Sequence, residues 1–392
     1  MSIESKRKYF LTGGTGFLGS YLFIELCKKG YPVTLLCRSK DGISAAERVE
    51  SIIKWFGFKR EDFPYLKMIE GRIDEERLGL ESSVHTELAK ENIEVIHCAS
   101  DTDFAERNRS VIESVNIGSL LNVLKSAKDS GAVHFHYLST AYSAGAFEGE
   151  CPEELSFPEK FTNVYEETKN IAEKIAVASC KENKIKLTVY RPSIVYGESG
   201  TGRSRKFNAL YYPVKAVSYI RDIMLKDIIE RGGKRAFELG VTLRDNGTLV
   251  TPIRLKSVTG GKLNLIPVDF FAKAMTAIIE SSGNGGIHHI VNGDPGDLGE
   301  LITYTSMYFQ IDGLRVVNGD AEGADNKNGL EELFENYIKM YLPYIADKRV
   351  FLTDKTSDLL SEKNIVCPKM NYEIFKKCID YAVISEWGRD QQ

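Results

Sequence analysis

Tyr165 and Lys169 stand four residues apart in "NVYEETKNIAEK" (163–174), so on a helix their side chains share one face, a turn apart. A free phenol ionises near pH ~10 and is a poor acid–base catalyst at neutrality. An ammonium beside it stabilises the phenolate and lowers that pKa. Thr140, at the end of "HYLSTAY" (136–142), offers a hydroxyl that can hydrogen-bond the same carbonyl oxygen and polarise it. The chemistry these three side chains suit is reduction of a carbonyl. Tyr-x-x-x-Lys by itself is a weak signal, since any amphipathic helix can contain it.

Such a reduction needs a hydride carrier, and "KYFLTGGTGFLGSYLF" (8–23) has the form of a carrier site, with four glycines in seven positions between two apolar runs. Glycine costs about 1 kcal/mol relative to alanine inside regular structure, so a cluster of them marks a close backbone approach. In the spacing Gly13, Gly16, Gly19, the first permits a tight turn and the second lets the main chain approach a pyrophosphate. The third lets the helix pack on the strand, and the helix N-terminus attracts the phosphates. The candidate cofactor contacts in this turn are Thr12, Gly13, Thr15, Gly16, Phe17, Leu18 and Gly19. An enzyme for NAD usually places Asp or Glu at the end of the next strand, on the ribose 2′-hydroxyl. Here that strand ends "LLCRSK", with no carboxylate before Asp41. Arg38 stands where a guanidinium grips a 2′-phosphate, which points to NADPH; a solvated arginine at a strand end is the competing reading.

Around these residues the pattern is regular. Strand-length apolar runs at 8–12, 32–37, 65–71, 93–99, 133–139 and 186–192 alternate with helical stretches, among them 44–55 and 109–129. That alternation implies an α/β fold, a doubly wound parallel Rossmann-type sheet. After about residue 200 the pattern loosens, which suggests a smaller, mostly helical C-terminal substrate domain. The segment 263–279 reads as a short strand and a helix returning to the main sheet, and 314–330 as an acidic surface loop. The expected division is 1–200 plus about 263–290 for the cofactor, and about 201–262 plus 291–392 for the substrate.

With the glycine turn and the Thr–Tyr–Lys set in place, the sequence resembles the extended short-chain dehydrogenase/reductase superfamily. "TGGTGFLG", "HCAS" (97–100), "VNIGS" (115–119), "LSTAY", "YEETK" and "YRPSIVYG" (190–197) fall in that family's order. The resemblance implies Thr140, Tyr165 and Lys169 as the catalytic set, with Asn116 supporting a water relay to the lysine. It places Ala99 beside the adenosine ribose and Pro192, Ser193 and Ile194 against the nicotinamide carboxamide. Where the family has an Asp reading the adenine, this chain has Arg72, followed by Ile73; Arg72 is expected to stack on the ring or add charge near the 2′-phosphate. Within the superfamily, "LLCRSKDGISAAERVESIIKWFG", "GRIDEERLGL", "STAYSAG" and "NLIPVDFFAKAM" resemble the thioester-reductase and fatty acyl-CoA reductase branch, where Arg48 is a second phosphate contact. The resemblance implies reduction of an acyl thioester, carried on the phosphopantetheine of a carrier protein or of CoA, to an aldehyde or, with a second hydride, on to an alcohol. The alternative is an epimerase or dehydrogenase of a nucleotide sugar or ketone on the same scaffold.

The remaining signals narrow the class. A formal net charge of −4 gives no basic field for nucleic acid. Seven scattered cysteines without a CxxC pair read as reduced thiols of a cytoplasmic protein. No stretch is long and apolar enough to span a membrane, and oligomeric state is not written in the pattern. His134 and His136 alternate on a strand with no further metal ligand nearby in sequence, so they read as core histidines and no metal is expected. "RSRK" (203–206) has two readings, a phosphate or carrier-protein contact and a solvated loop. The tyrosine-rich stretch 209–220 likewise reads as an acyl channel or as helix core.

Overall fold

Seven short strands form one parallel sheet in the computed structural model, which describes residues 6–257, 261–281, 283, 285–318, 327–345 and 347–391. They are β1 (Tyr9–Thr12), β2 (Val33–Cys37), β3 (Leu66–Glu70), β4 (Glu94–His97), β5 (His134–Leu138), β6 (Lys186–Pro192) and β7 (Gly286–Ile290). β1, β4 and β5 are buried at every position. A parallel sheet covered on both faces has strands buried along their whole length in place of alternation, and the polar side chains on these strands, among them Glu94, His134 and His136, are hydrogen-bonded inside it. The order is β7-β6-β5-β4-β1-β2-β3, so the chain reverses direction across the sheet between β1 and β4. Ligands of such sheets sit outside the carboxyl ends of the strands at that reversal. The helices that matter for the site are α1 (Phe17–Lys28), α2 (Ala45–Trp55) and α3 (Val164–Asn183). Ser44 caps α2 in a full capping box with Glu47, and the Asn163 side chain accepts from the Glu166 amide to start α3.

Clustering of contacts divides the chain into two units. The first is residues 1–193, 268–291 and 351–366, and carries the sheet. The second is residues 194–267, 292–350 and 367–392, and has its own apolar core around Tyr211, Val214, Val217, Phe334 and Phe375. The long helix α4 (Tyr211–Glu230) supplies much of that core.

Four expectations about these elements change. The strand of the 263–279 segment does not join the main sheet; Leu265–Pro267 pairs with Ile194–Tyr196, a strand that continues the chain after β6 ends. The seventh strand of the sheet is instead β7, which carries His288 and His289. Arg315–Asn318, read as loop, is a strand paired with Arg254–Ser257, while 319–326 of the acidic segment lie outside the described residues. Finally, 351–366 belongs with the first unit: the Leu352 amide donates to the Cys151 carbonyl at 3.0 Å and the Thr356 hydroxyl to the buried Glu153 carboxylate. None of the seven cysteines forms a disulfide, and no helix among the described residues is long and apolar enough to cross a membrane.

Candidate active site

The glycine turn closes between β1 and α1. Gly13 has φ +77°, a left-handed conformation that only glycine adopts without strain, and a Cβ there would sit 2.4 Å from the Ala99 amide nitrogen. Gly19 presses on the turn itself, where a Cβ would lie 2.3 Å from the Gly13 carbonyl. The Gly13 carbonyl accepts from the Gly16 amide at 2.9 Å, and α1 starts at Phe17 with no side-chain cap and no acidic residue in its first turn. Its amino end is thus an uncompensated positive pole suited to phosphate. Thr12 is fully buried, its hydroxyl 2.7 Å from His97 Nδ1, which ties the ends of β1 and β4 together. Burial, with the Lys169 charge behind it, holds His97 down at about 3, so the ring is neutral.

The three arginines expected around the 2′-position differ in their engagement. Arg48, on α2, donates to the Arg38 carbonyl at 2.6 Å and to the Thr15 hydroxyl at 3.1 Å, clipping the end of β2 to the glycine turn. Arg38 is exposed. Arg72 is held by two carboxylates of its own loop, Asp74 at 2.7 Å and Glu75 at 3.0 Å, and Asp74 also feels the Arg38 charge. Ile73 is half-buried, with its carbonyl accepting from the Asn122 side chain at 3.0 Å.

Beyond β4 the chain enters a segment expected as one helix over 109–129. It is helical throughout, and a π turn at Ser114–Gly118 interrupts its α-helical bonding between Arg109–Glu113 and Ser119–Asp129. Such wide turns occur frequently at functional sites. This one carries Asn116, buried, whose amide oxygen accepts from Ser100 Oγ (2.9 Å) and the Asp101 amide (2.8 Å). Its amide nitrogen donates to the Asp101 carbonyl and to Thr168 Oγ1, each at 3.0 Å. Asn116 therefore braces the β4 exit loop against α3, one residue before Lys169.

Thr140 and Tyr165 come together, and Lys169 stands one helical turn further along α3 with its ammonium turned to the end of β5. The Thr140 hydroxyl is hydrogen-bonded to the Tyr165 phenol, accepts from the Tyr142 amide at 3.3 Å and lies 3.5 Å from the Pro192 carbonyl. Lys169 is 1% exposed; its ammonium donates to the Leu138 carbonyl at 2.7 Å and stands 4.3 Å from the centre of the Tyr137 ring. Removal from water pushes the Tyr165 phenol above its ordinary range, against the Thr140 hydrogen bond, which lowers it. Burial drives Lys169 the other way, down to about 7, against the attraction of Glu173. Tyr165 is thus a protonated donor at neutral pH, and Lys169 carries its charge below pH about 7 and loses it above.

Two residues that spacing did not reveal hold this cluster. Glu173, one turn after Lys169 on α3, and Arg191, on β6, form a fully buried ion pair at 2.5 Å. Glu173 Oε1 also accepts the hydroxyls of Ser139 (2.5 Å) and Ser143 (2.8 Å), on either side of Thr140 in sequence. The only hint in the sequence is the arginine of "YRP", whose partner lies eighteen residues earlier on another element.

Past Pro192, Ser193 is 6% exposed and its hydroxyl has no hydrogen-bond partner among the described residues. A buried hydroxyl left unsatisfied is costly and suits a ligand amide. Ile194 opens the strand Ile194–Tyr196 of the second unit. The glycine turn, its bare helix end and the Ser193 hydroxyl together fit a nicotinamide dinucleotide.

His134 and His136 do acquire a third ligand-type neighbour, contrary to the sequence reading. Glu94 pairs opposite His134 in the β4–β5 register, and one ligand atom from each of the three lies within 4.8 Å of the others. His136 Nε2 contacts Glu94 at 2.9 Å and Nδ1 the Tyr190 hydroxyl at 2.8 Å, while His134 Nε2 contacts Thr188 at 2.8 Å. Burial lowers both imidazoles, so they pack as neutral, hydrogen-bonded core groups. His288 and His289 each find separate partners, the Thr356 hydroxyl and the Leu352 carbonyl.

The family model described as male sterility protein matches residues 11–275. A linear gramicidin synthase protein of Brevibacillus parabrevis is 23% identical over 95% of this chain, which is 7% of that protein's length. The large subunit of L-2-aminoadipate reductase of Eremothecium gossypii is 26% identical over 70% of this chain and 19% of its own length. The chain thus spans a fifth or less of either relative. Among solved structures, the terminal R domain from the myxalamid PKS-NRPS biosynthetic pathway superposes with a TM-score of 0.75 at 20% identity, over 97% of this chain and 92% of that one. At that identity the likeness speaks for the fold. The family match runs from the glycine turn through the Thr–Tyr–Lys cluster and covers well over half of the residues, so the chain belongs to the male sterility protein family.

Proposed function

We propose that this chain reduces an acyl thioester to an aldehyde with NADPH, the acyl group being carried on the phosphopantetheine of a carrier protein or CoA. The observation that carries the reading is the Thr140–Tyr165 hydroxyl pair, one helical turn from the buried Lys169 on α3. When bound, NADPH supplies a hydride to the thioester carbonyl carbon. The glycine turn and the α1 amino end would hold its pyrophosphate, Arg38 and Arg48 its 2′-phosphate, and Ser193 its carboxamide. As the carbonyl oxygen gains charge, the Thr140 and Tyr165 hydroxyls donate to it, which is the largest stabilising effect available in a site removed from water. Tyr165, kept protonated by burial, gives its proton to that oxygen, and Lys169 stabilises the phenolate left behind. Collapse of the hemithioacetal then breaks the C–S bond, returns the hydroxyl proton to Tyr165, and releases aldehyde and thiolate.

The test is NADPH consumption, followed by absorbance, against acyl-CoAs and acylated carrier proteins of short, long and aromatic acyl groups. Consumption only when a thioester is present, with aldehyde formed, is the expected result. A tightly held NAD with no net NADPH use on any thioester would establish the epimerase alternative instead, a reading that the missing carboxylate at the end of β2 argues against.

Cofactor choice is separately testable. Arg38→Ala is expected to weaken NADPH binding by about 1.5–3 kcal/mol, the loss of a charged hydrogen bond, and to leave NADH binding unchanged. Titration of both cofactors by fluorescence checks this, and equal affinity of the unmodified protein for the two would remove Arg38 from the 2′-phosphate.

A further inference from the structure

The amino ends of β1, β4 and β5 carry a second group of side chains with chemistry of their own. Tyr9, Glu94 and His134 pair with one another across the three strands, and His136 follows two residues on, so all four project from one face of the sheet. Thr12, which leads into the glycine turn, lies three residues further along β1, a rise of about 10 Å. The group is therefore at the end of the sheet away from the cofactor.

One ligand atom from each of Glu94, His134 and His136 lies within 4.8 Å of the other two, and each residue is less than a tenth exposed. Zinc takes imidazole nitrogen and carboxylate oxygen at ~2.0–2.2 Å, which sets tetrahedral ligands about 3.3 Å apart. Small side-chain rotations bring the three onto one ion. Two imidazoles and a carboxylate are a set that zinc binds with its fourth position left to water.

The surroundings hold the rings as ligands are held. His136 turns Nε2 to Glu94 at 2.9 Å and keeps Nδ1 on the Tyr190 hydroxyl at 2.8 Å. His134 keeps Nε2 on the Thr188 hydroxyl at 2.8 Å, which leaves its Nδ1. A metal-bound histidine usually donates its other ring N–H to a fixed oxygen, which sets the orientation of the ring. Both oxygens here belong to hydroxyls, which accept as well as donate, so each ring can carry its proton on the nitrogen away from the ion. Tyr9 is 1% exposed, with its ring centre 6.5 Å from that of His136. Its hydroxyl, with Arg7 near it, closes no hydrogen bond among the described residues. Such a hydroxyl suits a water on the fourth position.

Two cations oppose an ion at this place. Arg7 Nε lies 3.5 Å from Glu94, and the Lys186 charge acts on His134. Both side chains reach solvent, so both can turn outwards.

We infer that Glu94, His134 and His136 form a zinc site that clamps β4 to β5 at the amino end of the sheet, joining segments some forty residues apart. Its role is in stability, since an ion bound only by the folded chain favours that state. The inference is independent of the thioester reading.

The test uses the full chain, stripped with a chelator and dialysed free of it. Calorimetric titration with Zn²⁺ is expected to show one site, and saturating Zn²⁺ to raise the midpoint of thermal unfolding. Cysteines also bind zinc, so Co²⁺ is the second probe: tetrahedral d–d absorption without a thiolate-to-cobalt charge-transfer band identifies a nitrogen and oxygen ligand set. His134→Ala is expected to weaken Zn²⁺ binding by about 100-fold or more. Arg7→Gln, which removes the opposing charge, should tighten it by about tenfold. Opposite shifts of this kind are not produced by general destabilisation. If His134→Ala does not fold, the gain in Arg7→Gln and the cobalt spectrum decide. Absence of saturable Zn²⁺ binding, a thiolate charge-transfer band with one equivalent of Co²⁺, or an affinity unmoved by Arg7→Gln overturns the inference.

Discussion

Tyr165→Phe is expected to lower the rate of the proposed NADPH-dependent thioester reduction by about 10²-fold or more, with fold and cofactor affinity retained. The change deletes one hydroxyl on a half-buried face of α3 and leaves the ring in place. It removes both the group that protonates the carbonyl oxygen and one of the two donors that stabilise it, each of which is worth orders of magnitude in related chemistry. Burial holds the phenol above its ordinary range, so the donor form is populated across neutral pH and Tyr165 itself sets no ionisation in the working range. The ionisation that does fall there belongs to Lys169, lowered to about 7. The sign follows directly: the ammonium is present below pH about 7 and lost above it, so kcat/KM for NADPH, which reports the free enzyme, declines as pH rises through about 7. Lys169→Met removes that limb of the profile as well as most of the rate. A thiolate leaves without a strong acid, so the threonine has a separate test. If Thr140→Ala abolishes turnover while Tyr165→Phe keeps nearly all of it, the stabilisation of the oxygen belongs to the threonine. If neither slows NADPH oxidation on a substrate the unmodified chain reduces, the active site lies elsewhere.

The parts of this site that could be read in advance are those set by local chemistry. A positive φ at Gly13 requires glycine, and a helical turn between Tyr165 and Lys169 requires four residues, so both leave marks within one short stretch. Six of the seven strands were legible because a doubly covered strand is rich in apolar residues along its whole length. What was missed depends on pairings between distant stretches. Glu94 reaches His134 and His136 through the register of β4 against β5, some forty residues apart. The π turn at Asn116 leaves no compositional trace, because its amide is held by Ser100, Asp101 and Thr168 from two other segments. The place of β7 beside β6 and that of the 351–366 return are fixed by tertiary contacts, such as strand pairing and the bond of Thr356 with Glu153. In the second unit the tyrosine-rich stretch was legible as apolar. The core it joins was not, because helices from residues 298–309 and 329–338 supply the rest of it.

The Glu173–Arg191 pair carries the largest expected effect on stability. Both side chains are fully buried, and the guanidinium gives Nε and Nη2 to the carboxylate at 3.0 and 2.5 Å and Nη1 to the Glu154 carbonyl at 2.9 Å. Truncating one member of such a pair strands the other charge out of water, so Arg191→Met is expected to cost about 3–5 kcal/mol. Chemical denaturation followed by circular dichroism measures it as a lowered midpoint. The double change Arg191→Met with Glu173→Leu leaves no buried charge and recovers a large part of that loss, a pattern that a simple packing defect would not give, because it would add a second cost to the first. Activity should not recover with stability. Glu173 orders the Ser139 and Ser143 hydroxyls on either side of Thr140, and its charge is what opposes the effect of burial on Lys169. In the stable double variant the Lys169 ionisation therefore moves further down, and the decline of kcat/KM with pH begins below about 7. A double variant as active as the unmodified chain, with an unmoved pH profile, would confine Glu173 and Arg191 to holding the sheet and α3 together.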